Sequence, residues 1–173
     1  MMVIFRITRR MLDDVKRALR CPHPVALERI GFIYVRPGTI SQGHLLLATG
    51  YQSVRDNHYV EAKAGHSACA IINRYAITEA MQRSLNTGEG VFHVHMHDFG
   101  VCCAFSTVDL QSLNGLMPSF YNVNQKVLHG ALLITHKGII GKYWTPDKKS
   151  HNLTLISVIG YPCSYHKATT DDL

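Results

Sequence analysis

The amino-acid sequence predicts a single mixed α/β (α+β) domain in which helices flank a central mixed, mostly antiparallel sheet. The chain has 173 residues, which suits one domain with its own core. Hydrophobic residues make up 46% and charged residues 17% of the chain, a balance typical of globular proteins. The periodicity of the apolar residues gives the element order α, β, β, β, α, β, α, β, β, β, which differs from a regular βαβ alternation.

The first half of the chain is predicted to hold a helix, a meander of strands and a second helix. Thr8 stands where an N-cap would, and apolar residues then recur at helical spacing until Pro22 ends the pattern. Ser67 is the predicted cap of the second helix. The predicted strands lie at residues 27–35, 44–51 and 57–63, with a turn at residues 36–38.

The second half is predicted to begin with a strand at residues 90–97, followed by a helix that starts near Ser106 and ends at Pro118. Residues 1–163 are thus expected to form the domain, and residues 164–173, which carry no pattern, a flexible tail. The last three predicted strands lie at residues 131–135, 139–144 and 153–159.

Charge and cysteine content narrow the class of protein. The formal net charge of +6 favours an acidic partner but does not by itself indicate nucleic acid. The apolar runs are too short to cross a membrane, and the amino terminus does not resemble a secretory signal, so we expect a cytoplasmic protein. The five cysteines form no CxxC pair, which argues against a disulfide framework and a four-cysteine zinc site.

Three histidines alternate along the predicted strand at residues 90–97. Alternate side chains of a strand share a face, so His93, His95 and His97 are predicted to point the same way. Two imidazoles at this spacing can both reach a zinc ion at about 2.0–2.1 Å, and a third ligand must come from another element. Asp109, in the first turn of the next helix, is the predicted third ligand beside His95 and His97, with His93 in a supporting or core position.

Two imidazoles and one carboxylate leave a fourth position for water, as in catalytic rather than structural zinc sites. Such a water needs a base, and Glu28 is the best candidate because most other carboxylates fall on presumed solvated helix faces or in the tail. Ser106 and Asp109 also have the spacing of a helix capping box, and both roles are compatible.

Five residues occur in a characteristic chain order: Glu28, His95, His97, Ser106 and Asp109. This order resembles the signature of the JAMM, or JAB/MPN, zinc metalloproteases, and Glu28 stands three residues before Gly31 as in the glutamate strand of that family. The segment between the second histidine and the serine is one residue longer than the commonest eukaryotic spacing, which favours the prokaryotic branch. It also lacks the usual proline and carries Cys102-Cys103 instead.

The resemblance implies an MPN/JAB-like fold with cytidine-deaminase-like layering, and a peptidase or isopeptidase that cleaves after the carboxy-terminal tail of ubiquitin or a ubiquitin-like modifier. It implies that His95, His97 and Asp109 hold Zn²⁺. Glu28 would move a proton from the attacking water to the leaving amine, and Ser106 would donate a hydrogen bond to the oxyanion. The implied partners are modifier conjugates and the activating and conjugating enzymes of a bacterial system, without membrane or nucleic acid.

The alternating histidines are also similar to the motif of the histidine-triad nucleotide hydrolases and transferases. In that class His95 would attack a phosphate and form a phosphoramidate without a metal. Asp98 stands where that motif has an apolar residue, and the motif gives no role to Glu28, Ser106 or Asp109. The metalloprotease is therefore the preferred hypothesis.

Overall fold

Apolar residues that alternate along the strands build a large sheet with a core on each face. The computed structural model describes residues 2–61, 70–97 and 104–167. Its helices are α1 Arg9–Arg20, α2 Arg74–Thr87 and α3 Thr107–Val123. Its strands are β1 Met2–Thr8, β2 Ile30–Ile40, β3 Gly43–Ser53, β4 Tyr59–Val60, β5 Ile71–Ile72, β6 Gly90–His97, β7 His129–Thr135, β8 Gly138–Trp144, β9 Ser150–Asn152, β10 Leu155–Ile159 and β11 Ser164–Lys167.

Nine strands form one sheet in the order β11-β10-β1-β3-β2-β6-β7-β8-β9, and β4 pairs with β5 in a separate ribbon. The large sheet is mixed rather than mostly antiparallel, because β1 lies parallel to β3 and β10, and β6 lies parallel to β7. A parallel pair needs a crossover connection, and α3 provides it between β6 and β7. The mixed α/β class with helices beside the sheet is confirmed.

The sheet curls, and its two faces are covered by different helices. His166 of β11 lies against Gly138 of β8, so strands far apart in the sheet order approach each other. One core packs α1 against the sheet through residues such as Leu12 and Val15. The other core packs α2 and α3 against β2, β6 and β7 through residues such as Ala80 and Phe120.

The sequence predicts that Pro37 lies in a turn and that Pro118 ends a helix, but both prolines lie inside regular elements. The predicted turn at residues 36–38 is part of β2, which continues to Ile40. Pairing of β2 with β6 stops at Val35, so Pro37 faces only β3 and costs the sheet little. Pro118 lies within α3, where burial of Met117 and Phe120 offsets the lost backbone hydrogen bond.

Several boundaries also differ from the prediction. The cap of α2 is Asn73, whose side-chain oxygen accepts hydrogen bonds from the amides of Tyr75 and Ala76. The predicted cap, Ser67, lies outside the described residues. Of the strand predicted at residues 57–63, the structure shows the two residues of β4, and residues 62 and 63 lie outside the described part. Residues 164–167 of the predicted tail form β11 against β10, and residues 168–173 are not described.

His129 joins the start of β7 to the start of β6. Its side chain is fully buried; Nδ1 accepts a hydrogen bond from the Val91 amide at 3.1 Å, and Nε2 lies 2.8 Å from the Asn124 carbonyl oxygen. Since Nδ1 accepts, Nε2 carries the proton and donates. Burial lowers the pKa of His129 to about 4. The ring is therefore neutral near pH 7.

We expect His129 to destabilise the fold as the pH falls from about 6.5 to about 4, because the unfolded chain then binds a proton that the folded chain does not. Its contribution to the free energy of unfolding should fall by up to about 3 kcal/mol. Urea unfolding across this pH range checks the prediction. His129→Gln should lose this part of the pH dependence, whereas His136→Gln, at an exposed position, should keep it. Equal slopes in the two variants would contradict the assignment.

Candidate metal centre

β6 presents its three histidines on the face of the sheet that α2 and α3 cover. Val94 and Met96 point into the opposite core, with α1. The ring of His95 lies between its two neighbours, 5.4 Å from the His93 centroid and 5.0 Å from the His97 centroid. His93 and His95 are buried and His97 is partly exposed. The predicted alternation is confirmed, and His93 lies against Phe32 as a core neighbour of the pair.

The antiparallel register of β2 and β6 brings Glu28 to the histidines. Ile30 pairs with His95, and Glu28 lies two residues before Ile30 just as His97 lies two residues after His95. Glu28 precedes the observed strand rather than beginning it, yet the same register directs it toward His97. Its Oε1 lies 3.9 Å from Nε2 of His97. Ligand atoms of Glu28, His95 and His97 all lie within 4.8 Å of one another.

The first turn of α3 brings Asp109 to the same two rings. Its Oδ1 lies 3.4 Å from Nε2 of His95 and its Oδ2 lies 3.5 Å from Nε2 of His97. A capping box fixes this carboxylate: Ser106 N donates to Asp109 Oδ2 at 2.8 Å, and Asp109 N donates to Ser106 Oγ at 3.1 Å. The structure therefore assembles all five predicted site residues from three separate segments.

Burial and neighbouring groups set the protonation states of the site. Burial, with His95 nearby, lowers the pKa of His93 to about 3 and also lowers the pKa of His97. Desolvation favours a higher pKa for Asp109, but the adjacent His95 and the hydrogen bonds with Ser106 outweigh it and hold that pKa below its ordinary range. His97 and Asp109 thus have the neutral and ionised forms that metal binding requires.

The ring of His95 fits a metal ligand. Its Nε2 is buried and lies 3.4 Å from Asp109 Oδ1, longer than a well-formed hydrogen bond, and its Nδ1 is buried without a hydrogen-bond partner among the described residues. Buried polar atoms without such partners are uncommon in folded proteins. Two imidazoles and nearby carboxylate oxygens form a donor set that suits zinc, although imidazole also binds other transition metals. The residues present therefore fit a divalent metal ion.

Comparison with known proteins does not identify a family for this chain. No protein-family model matches the chain, and no curated protein matches it significantly. The resemblance to the JAMM metalloproteases stays a prediction that rests on five residues and their geometry. In the described part of the chain, no helix is both long and apolar enough to span a membrane.

Sequence reasoning missed the contacts of the residues next to Glu28, chiefly those of Arg29 with Asp56 and of Tyr59 with Ile30. Arg29 and Asp56 are 27 positions apart and belong to no common motif, so only the fold reveals their contact. Asp98 and the adjacent pair Cys102-Cys103, which the sequence places near the metal, lie outside the described residues.

We expect His95→Ala and Asp109→Ala to abolish stoichiometric zinc binding. Each substitution removes a donor from the site, so the affinity loss should exceed the roughly 10- to 100-fold loss typical of removing a residue that only hydrogen-bonds to a metal ligand. Metal analysis of purified protein and competition with a chromogenic chelator measure it. His136→Ala, which removes an exposed histidine on the loop after β7, is the matched control and should bind zinc as the wild type does. Zinc content that is unchanged in all three variants would contradict the site.

Proposed function

We propose that the protein is a zinc-dependent peptidase or isopeptidase of the JAMM type, acting after the tail of a ubiquitin-like modifier in a bacterial cytoplasm. The observation that supports it best is the convergence of Glu28 and Asp109 on the pair His95 and His97. A catalytic zinc site uses three protein ligands, and Asp109 lies closer to the two rings than Glu28 lies to His97, so we assign Asp109 as the third ligand and leave Glu28 for acid–base work. The fold, with helices on both faces of a mixed sheet, is compatible with MPN/JAB-like layering.

His95, His97 and Asp109 would hold the zinc ion. A bound zinc ion lowers the pKa of a water ligand to about 7 and polarises a carbonyl group. The carboxylate of Glu28 is about a quarter exposed, so both water and substrate can reach it. From this position Glu28 accepts a proton from the attacking water and returns it to the leaving amine.

Within the described residues, no acceptor takes the Ser106 hydroxyl proton, which can therefore stabilise developing negative charge. Its Oγ accepts a hydrogen bond from the Asp109 amide, so the capping role leaves the hydroxyl proton available. The residue is exposed at the first turn of α3, beside the ligand Asp109. Donation of that proton to the oxyanion of the tetrahedral intermediate agrees with this geometry.

An extended modifier tail would need a strand edge near the site to which it can add. β6 is bonded to β2 on one side and β7 on the other, so a modifier tail cannot pair with the strand that carries the ligands. The ribbon of β4 and β5 contacts the entry to β2, where the Tyr59 hydroxyl accepts from the Ile30 amide at 2.8 Å. Strand addition to this ribbon would hold a tail beside Glu28. The partners would then be modifier conjugates and the cognate activating and conjugating enzymes.

The histidine-triad alternative receives less support from the site. His95 would have to reach a phosphate, but its side chain is only 4% exposed. Asp109 lies against its Nε2, and Glu28 is close by. Two carboxylates beside the nucleophile would repel a phosphate at the moment of attack.

We expect Glu28→Gln to retain bound zinc but to lower kcat by about 10²- to 10⁴-fold, because the amide cannot accept the proton of the attacking water. The substrates are ubiquitin with a fluorogenic amide at its carboxyl terminus, and diubiquitin linked by an isopeptide bond. Asp13→Asn, at an exposed carboxylate on α1, is the control and should cleave at the wild-type rate. Wild-type protein that binds zinc and leaves both substrates intact would contradict the proposed function.

Ser106→Gly should lower kcat by about 10²- to 10³-fold, since it removes the oxyanion donor. Glycine is nearly as good an N-cap as serine, and the backbone amide still donates to Asp109, so zinc binding and thermal stability should stay close to wild type. Thermal unfolding and metal analysis accompany the kinetics. A normal rate with intact zinc would remove Ser106 from the mechanism.

A further inference from the structure

Glu28 lies in a segment without helix or strand, residues 21–29, and the side chain of Arg29 ties the two ends of this segment together. Its Nε donates to the Cys21 carbonyl at 2.7 Å and its Nη2 donates to the Pro22 carbonyl at 2.9 Å. Only 11% of the side chain is exposed. The planar guanidinium can satisfy several acceptors at fixed angles, which a lysine ammonium cannot do.

The third contact of Arg29 anchors this segment to another part of the fold. Its Nη1 donates to Asp56 Oδ1 at 2.6 Å, and this charged hydrogen bond holds the pKa of Asp56 below its ordinary value. Asp56 begins a short 3-10 turn that leads into β4. Val54, just before that turn, donates its amide to the Ile30 carbonyl at 3.1 Å. The backbone on the carboxyl side of Glu28 is therefore held twice by residues 54–56.

The amino-terminal half of the segment folds onto the same anchor. His23 Nδ1 accepts from the amides of Val25 and Ala26 at 3.2 and 3.0 Å, which closes a turn before Glu28. The His23 ring packs on the ring of Tyr59 with centroids 4.3 Å apart. His23, like Arg29, is thus tied to the chain around Asp56 and Tyr59.

We propose that Arg29 is a positioning residue that holds the Glu28 carboxylate beside His95 and His97 through its clamp on Cys21, Pro22 and Asp56; this inference rests on the proposed function. The ligands lie on regular elements, whereas Glu28 lies two residues before β2, where the strand register sets the face of its side chain but no ladder pairing holds its backbone. A misplacement of about 1 Å at a reacting group can cost roughly 100-fold in rate. The clamp supplies the rigidity that the irregular segment lacks.

Arg29→Ala and Arg29→Lys should each lower kcat by about 10- to 100-fold while KM and zinc stoichiometry stay at wild-type values. Lysine keeps the charge opposite Asp56 but cannot span all three acceptors. The decrease in kcat should therefore be smaller in Arg29→Lys than in Arg29→Ala. Arg55→Ala is the matched control, because Arg55 is next to Asp56 and about two-thirds exposed, in an ion pair with Glu79. A rise in KM with unchanged kcat, or equal losses at Arg29 and Arg55, would overturn the proposal.

A double substitution separates positioning from a general loss of stability. If Arg29 acts through Glu28, adding Arg29→Ala to Glu28→Gln should cost no further rate, since the base is already absent. If Arg29 only supports the fold, the two losses should multiply. Multiplied losses would therefore overturn the proposal.

Hydrogen exchange tests the clamp without any substrate. In zinc-loaded protein, the amides of Val25, Ala26 and Glu28 should exchange faster in Arg29→Ala than in Arg55→Ala, because the clamp on their segment is gone. Equal exchange in the two variants would overturn the clamp even if the protein cleaves modifiers. Conversely, faster exchange in a protein that binds zinc but cleaves nothing would support the clamp and contradict only the proposed function.

Discussion

The antiparallel register between β2 and β6 is the constraint on which the site depends. Side chains alternate along both strands, so a slip of one residue would turn His95 and His97 into the opposite core and point Glu28 away from them. Gly31, next to this pairing, allows β3 to pack against β2, because a Cβ at this position would overlap the ring of Tyr51, which packs over it from β3. The glycine three residues after Glu28 thus has a packing reason that belongs to the strand, not to the chemistry.

In the proposed site, Asp109 would meet a demand of folding and a demand of metal binding. The first turn of α3 needs acceptors for its free amides, and the paired hydrogen bonds of Ser106 and Asp109 satisfy them. The positive end of the helix dipole also favours an ionised Asp109, the form in which a carboxylate binds a cation. Since the same two residues would do both jobs, the Ser-x-x-Asp pattern cannot by itself distinguish a capping box from a ligand. The two rings facing the carboxylate favour a ligand in addition to the cap.

Local patterns predicted the elements that carry the ligands, and long-range pairing decided the rest. The bounds of β6 and the cap at Ser106 follow from alternation and capping rules that act within a few residues. The same rules wrongly predicted that β2 and α3 would end at Pro37 and Pro118. A strand with one neighbour at that position and a helix with a buried face both tolerate proline. The parallel pairs of β1 and β6 depend on which distant segments meet, and no local pattern specifies that.

The site therefore divides into a part that sequence can reveal and a part that only the fold can. His95, His97 and Asp109 lie on regular elements whose periodicity fixes their directions. Glu28 is recognisable by its residue type, and the β2–β6 register sets its face, but we propose that its exact position also depends on Arg29 and on Asp56, which is distant in sequence. Ligand geometry is thus tied to the stability of the whole sheet, whereas placement of the base depends on a few contacts of one short segment. A change in those contacts can alter the base while the metal ligands keep their places.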